Sequence, residues 1–185
     1  YSKVYFLNEN YSPIDLKEIP KEYTHNDGRT IEIHEKVAPF LENLFANAEA
    51  DGLSLRALSS YRSFKTQTSL KAQNTVVYGI GANRFSADQG YSEHQLGTTV
   101  DFTTTSSNGV LGKFEGTKEY EWMTENAYKY GFILSYPKNN SYYIFEPWHW
   151  RFVGVALATK LHRDKMNFYD MDQREIDEYL LTIFD

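Results

Sequence analysis

The sequence predicts an α+β fold, a single domain with a small antiparallel sheet covered by helices. Two observations predict it. Helical periodicity comes first along the chain and returns last, and short β-branched or aromatic runs lie between, an order that suggests a small antiparallel sheet covered on one face. At 185 residues the chain is long enough for one real core, and two comparable domains would each be small.

The first thirty residues carry Pro13, Pro20, Asn10, Asn26 and Gly28 among short apolar stretches. They read as an extended N-terminal arm, residues 1–30, with one short strand near Val4 to Leu7. From Ile33 to Ala50, Val37, Phe40, Leu41, Leu44, Phe45 and Ala48 recur at three- and four-residue intervals, which predicts a helix stopped by Asp51-Gly52. Its apolar stripe should pack on the sheet. Leu53 to Ser59 alternates as a half-buried strand and delivers the polar turn Ser60-Tyr61-Arg62-Ser63 to an edge.

Phe64 to Tyr78 is a second helix candidate. The stretch Gly79-Ile80-Gly81-Ala82-Asn83 after it has no Gly-Lys-Ser/Thr ending and is given no nucleotide role. Val100 to Thr103 resembles the start of a strand. Thr117 to Tyr130 reads as a helix with Gly131 as its C-cap. Phe132 to Ser135 and Tyr142 to Phe145 then form an expected hairpin across Pro137-Lys138-Asn139-Asn140. Val153 to Leu161 and Gln173 to Phe184 close the chain as helices. Neither an internal repeat nor a low-complexity linker marks a second domain.

Composition removes several classes of function. The formal net charge of −6 leaves no basic field to neutralise phosphates, so nucleic acid is disfavoured as a partner. No apolar run approaches the roughly 20 residues that a transmembrane helix needs. The start, Tyr1-Ser2-Lys3-Val4, has neither Met nor a signal-peptide pattern and reads as a trimmed piece. With no cysteine, disulfides, thiolate nucleophiles and Cys-ligated zinc are excluded together, so a metal must sit on His and carboxylates.

Two segments carry such groups: Ser92-Glu93-His94-Gln95-Leu96-Gly97-Thr98-Thr99-Val100-Asp101 and Glu146-Pro147-Trp148-His149-Trp150-Arg151. A catalytic zinc needs about three protein N or O ligands and one open position. His94, Asp101 and His149 supply that set, and Gly97 lets the chain turn so that the first two face one point. Asp101 would project from a strand and His149 from the end of the Tyr142 to Phe145 strand. Glu146 would stand beside the open position. The residues by themselves leave a second reading, in which both histidines are hydrogen-bonded structural groups, Asp101 a cap and Glu146 a solvated charge. His25, His34 and His162 read as a turn residue, a helix start and a late helix position.

These segments resemble the signature of the VanY-type D-alanyl-D-alanine carboxypeptidases, in the lysostaphin-like zinc peptidase group and alongside the related L,D-carboxypeptidases. That signature pairs Ser-x-His-x-x-Gly-x-x-x-Asp with Glu-x-x-His. Ser92, His94, Gly97 and Asp101 fill the first part, and Glu146 and His149 the second. The similarity takes in Ser60 to Ser63 with Gln67, and Trp148 to Gly154. Thr98 and Thr99 depart from the smaller or more apolar residues common among relatives.

The resemblance implies one zinc per chain, at the sheet edge, on His94, Asp101 and His149. It implies Glu146 as the catalytic carboxylate and Arg62 beside the substrate carbonyl or carboxylate. Tyr61, Gln67, Ser92 and Trp148 are candidate substrate contacts, with Ser92 also a candidate to orient the His94 loop; Trp150 and Arg151 are expected to be structural. The implied partner is a peptidoglycan stem peptide, handled by a monomer outside the cytoplasm, secreted or envelope-associated. The leading activity is D,D-carboxypeptidase release of terminal D-alanine. The alternatives are an L,D-carboxypeptidase, an endopeptidase lysin and a non-catalytic wall-peptide binding module.

Overall fold

A computed structural model of the chain describes residues 6–84, 86–141 and 143–184. Its central feature is a four-stranded antiparallel sheet in the order β3-β4-β6-β5, with β3 at Leu55–Ser59, β4 at Thr99–Thr104, β5 at Phe132–Leu134 and β6 at His149–Phe152. A second, two-stranded sheet joins β1, Leu16–Glu18, to β2, Glu32–His34, within and just beyond the N-terminal arm. Helices α1 (Ala38–Ala50), α2 (Phe64–Tyr78), α3 (Lys118–Asn126), α4 (Val155–Asp164) and α5 (Gln173–Leu180) surround these sheets. The α+β class is the one the sequence predicts.

Alternation along the two central strands separates core from site. On β4, Val100 and Phe102 point into the main core while Asp101 points to the opposite face; on β6, Trp150 and Phe152 do the same opposite His149 and Arg151. The register pairs Val100 with Trp150 and Asp101 with His149, so the two strands agree on which face is which. Helix α1 closes the apolar face, with Phe45 5.8 Å from Phe102 and Phe40 4.8 Å from Phe152 between ring centroids. Phe45, Phe102 and Phe152 are buried, each such ring contributing about 1.5–3 kcal/mol relative to exposure, and Phe40 packs partly buried against them.

A second apolar cluster lies on the other side. Leu157, Ala158 and Leu161 of α4, Ile176 of α5 and Phe168 gather there, with Ile133 of β5 packed against them. The C-terminal helices therefore cover part of the face that carries His149.

Several element boundaries differ from the sequence expectations for local reasons. The helix expected from Ile33 begins only at Ala38, because Ile33 and His34 pair with β1 and His34 N–H donates to the Gly97 carbonyl at 2.8 Å. Pro39 then fits the first helical turn, where no backbone donor is needed. The expected strand at Tyr142 to Phe145 is absent over the described residues 143–145, and Tyr142 lies outside them. Asn140 Oδ1 accepts from Tyr143 N–H at 2.8 Å and holds a turn there, while β5 pairs with β6 instead. The strand expected near Val4 to Leu7 falls partly on residues outside the described ones, and Phe6 and Leu7 are in no strand.

Candidate metal centre

Three chain segments deliver the site. Glu93–Leu96 forms a 3-10 turn that ends at Gly97 in a left-handed conformation, φ +69°. A Cβ at Gly97 would lie 3.0 Å from Pro13 Cγ, so a side chain there would be strained by the left-handed conformation and would press on the arm. The turn is tied to that arm through Gln95, whose Nε2 donates to the Asn8 and Tyr11 carbonyls. His94 thus reaches the sheet face from one side, and Asp101 and His149 meet it as cross-strand partners on β4 and β6. His149 opens β6 rather than ending an earlier strand, which corrects its expected position.

One ligand atom from each of His94, Asp101 and His149 lies within 4.8 Å of the others, and all three residues are buried. His94 Nε2 stands 3.2 Å from Asp101 Oδ2, and His149 Nδ1 stands 3.1 Å from Asp101 Oδ1. The far nitrogen of each ring is already engaged: His94 Nδ1 with the Ser60 carbonyl at 2.7 Å, and His149 Nε2 with Glu93 Oε2 at 2.8 Å. Those contacts fix the rings so that His94 Nε2 and His149 Nδ1 face the same point. His94 Nε2 is fully buried yet lacks a hydrogen-bond partner of good geometry among the described residues. A buried polar nitrogen left so, converging with a carboxylate and a second imidazole, fits the N and O donor set of zinc.

The electrostatics divide the two histidines. Burial, and then the Arg62 charge, lower the His94 pKa to about 4, leaving it neutral. Burial also works against a charge on His149, but hydrogen bonds to Asp101 and Glu93 overcome it and raise that pKa to about 10. Burial opposes the charge of Asp101, yet His94 and His149 hold it well below the ordinary carboxylate range. Burial pushes Glu146 up to about 7, against the pull of His149 and Arg62.

A cavity of about 310 Å³ opens onto this cluster, lined among others by Arg62, Gln67, Ser92, Glu146 and Trp148. Glu146 Oε2 is 3.7 Å from His149 Nδ1, and Arg62 Nη2 is 3.8 Å from Asp101 Oδ2. Arg62 Nε and Gln67 Oε1 are buried without hydrogen-bond partners among the described residues, while Gln67 Nε2 is held by the Ala87 carbonyl at 2.8 Å. Ser92 sits at the N-cap of the 3-10 turn without a side-chain capping bond, so its hydroxyl does not orient the His94 loop by that means. Tyr61 lies apart from this cavity. Its hydroxyl is 2.9 Å from Ser12 Oγ, and it lines an adjoining cleft that shares Arg62 and Asp101 with the metal cavity.

Sequence reasoning missed Glu93. Its carboxylate is buried beneath the site and accepts from His149 Nε2, from Arg151 Nη1 at 2.9 Å and from Tyr169 Oη at 2.6 Å. Burial opposes its ionisation, but Arg151 and His149 together hold the carboxyl well below its usual range. The available signal was Arg151 itself: two residues from His149 on a strand, it shares that residue's face and needs an acidic partner there.

The fold and donor set define a protein with a candidate nitrogen–oxygen metal centre, buried on an antiparallel sheet. Residues 30–155 match the model of the family VanY, D-alanyl-D-alanine carboxypeptidase, and the chain belongs to that family. It is 32% identical over 170 residues to a D-alanyl-D-alanine carboxypeptidase of Enterococcus faecalis, covering 85% of this chain and 58% of the relative. Among solved structures, the LdcB LD-carboxypeptidase superposes with a TM-score of 0.81 at 34% identity, covering 90% of this chain and 81% of that one. A mutant of the vancomycin-resistance D,D-pentapeptidase VanY, solved with Zn(II), superposes with a TM-score of 0.67 at 28% identity, covering 91% of this chain and 98% of that one. The chain spans about 60% of the length of the two curated relatives it matches over the largest share of its own residues. Among the described residues no helix is long and apolar enough to cross a membrane.

Proposed function

We propose that the chain is a zinc-dependent D,D-carboxypeptidase that releases terminal D-alanine from peptidoglycan stem peptides. The observation that carries this reading is the convergence of His94, Asp101 and His149 on one point in a cavity that also presents Glu146 and Arg62. His94 Nε2, an Asp101 carboxylate oxygen and His149 Nδ1 would hold one zinc per chain. When bound, the ion supplies a Lewis acid that polarises a carbonyl and lowers the pKa of water.

The chain's own groups do the rest. Glu146, with a pKa near neutrality in the metal-free site, is suited to take a proton from attacking water and return it to the leaving amine. Arg62 is half-buried on the cavity wall, its buried Nε has no hydrogen-bond partner among the described residues, and its planar guanidinium is suited to an anionic oxygen of the substrate. Gln67, Ser92 and Trp148 form walls of the same cavity, and Tyr61 would meet a substrate only along the adjoining cleft. Such a substrate places the protein outside the cytoplasm, and nothing in this scheme requires a second copy of the chain.

The 34% identity to an LD-carboxypeptidase favours a second reading, in which the substrate is a tetrapeptide stem. Product analysis on defined stems decides between them. Free D-alanine from a pentapeptide supports the D,D reading, and release only from a tetrapeptide replaces it with the L,D one. Bound zinc without turnover on either would favour a non-catalytic binding module.

A further inference from the structure

The site face holds a buried chain of polar groups that the proposed reaction does not use. Tyr169, in the 3-10 turn Phe168–Asp170, donates its hydroxyl to Glu93 Oε1, which also receives Arg151 Nη1. The other carboxylate oxygen, Oε2, faces His149 Nε2 at 2.8 Å. Tyr136 closes the remaining side, its ring stacked on His149 at 4.8 Å between centroids. Tyr169 lies outside residues 30–155, the segment that matches the family model.

We infer that Glu93, held by Arg151 and Tyr169, is the positioning residue that fixes His149 as its Nε2–H tautomer, so that Nδ1 presents its lone pair to the metal. The inference rests on the zinc reading above. Its physical basis is the asymmetry between the two rings. His94 is oriented by a backbone carbonyl, which needs no further support, whereas His149 is oriented by a side chain that could rotate. Two donors on Oε1 remove that freedom, and a carboxylate acceptor also makes the opposite nitrogen a stronger donor to a metal. Because one of those donors is Tyr169, the helical segment after β6 becomes part of the metal site's support as well as a cover for the sheet.

The test is zinc affinity, by chelator competition, together with the ¹⁵N shifts of His149 in the zinc-loaded protein. Glu93 cannot be removed alone without stranding the buried Arg151 charge. The informative pair is therefore Glu93→Leu with Arg151→Met, which removes acceptor and charge together, and Glu93→Gln with Arg151→Met, which keeps an acceptor. The first should bind zinc about 10–100-fold more weakly than the parent, and the second should recover a large part of that loss with His149 still protonated at Nε2. Tyr169→Phe, a milder change, should weaken zinc binding while leaving its stoichiometry intact, and it serves if the double variants do not fold. Parent affinity in folded Glu93→Leu/Arg151→Met, or in Tyr169→Phe should the double variants not fold, would overturn the inference. A parent protein that takes up no zinc would instead overturn the proposed function.

Discussion

Asp101 and His149 are register partners across β4 and β6, with His149 Nδ1 3.1 Å from Asp101 Oδ1. The pairing explains how a metal centre can be assembled from residues 48 positions apart in the sequence. Both side chains leave backbone already fixed by the ladder, and the tilted and edge-on ring contacts of α1 with Phe152 and Phe102 hold that ladder from behind.

Zinc uptake should expel a proton from His149. Its pKa in the metal-free fold is about 10, above the ordinary 6.5, so the imidazolium's stabilisation is complete below pH 6.5 and is lost as pH rises through about 10. Nδ1 must lose its proton before it can donate to a metal. Between about pH 7 and 9, zinc binding should release about one proton and tighten about tenfold per pH unit. Calorimetry in buffers of different ionisation enthalpy measures the release, and none at all would remove His149 from the ligand set.

Glu146 makes the metal-free fold sensitive to pH in the same direction. Its value is raised from 4.5 to about 7, so its own contribution to stability is complete below pH 4.5 and is lost as the buried carboxyl ionises through about 7. Glu146→Gln removes that cost. At pH 8 the metal-free variant should be more stable than the parent by up to about 3 kcal/mol, at ~1.4 kcal/mol per pKa unit, and near pH 4.5 the two should coincide. Urea unfolding at both pH values checks this; a gap of equal size at each would contradict it.

Arg62→Lys keeps a cation but loses the planar fork. Its backbone N–H, which donates to the His94 carbonyl at 3.2 Å, is unaffected by the change. Turnover should fall by about tenfold or more while the melting temperature moves little. Unchanged kinetics would place Arg62 outside the substrate site.

Gly97→Ala tests the turn that carries His94. A left-handed alanine costs roughly 1–2 kcal/mol, and here the added methyl also meets Pro13 Cγ at 3.0 Å. A lower melting temperature together with weaker zinc binding is expected. A variant as stable as the parent would contradict both the left-handed cost and the contact with Pro13.

Much of this site is legible in the sequence because its ligands are of rare chemical type in a chain without cysteine, and because Gly97 marks the turn between two of them. The strand that carries His149 was not. Tyr143 and Phe145 mimic a strand's alternation, but Tyr143 lines the cavity and Phe145 packs 6.5 Å from Tyr120, so their apolar character serves side-chain contacts outside the sheet. Glu93 was hidden for a different reason. A carboxylate next to a ligand histidine looks solvated in sequence, and only the folded register sets it against Arg151 and His149. Tyr61 adjoins Arg62 in sequence, yet the bend of the chain sends its hydroxyl to Ser12.

The most direct measurement of the central claim is zinc content read beside D-alanine release from a defined pentapeptide, for Glu146→Ala and His149→Ala. Glu146→Ala should keep close to one zinc per chain and lose turnover by about 10³–10⁴-fold, because a carboxylate that moves the proton is removed while the donors stay. His149→Ala should lose both metal and activity. Near-parental hydrolysis by Glu146→Ala, or loss of zinc from it as complete as from His149→Ala, would contradict the account.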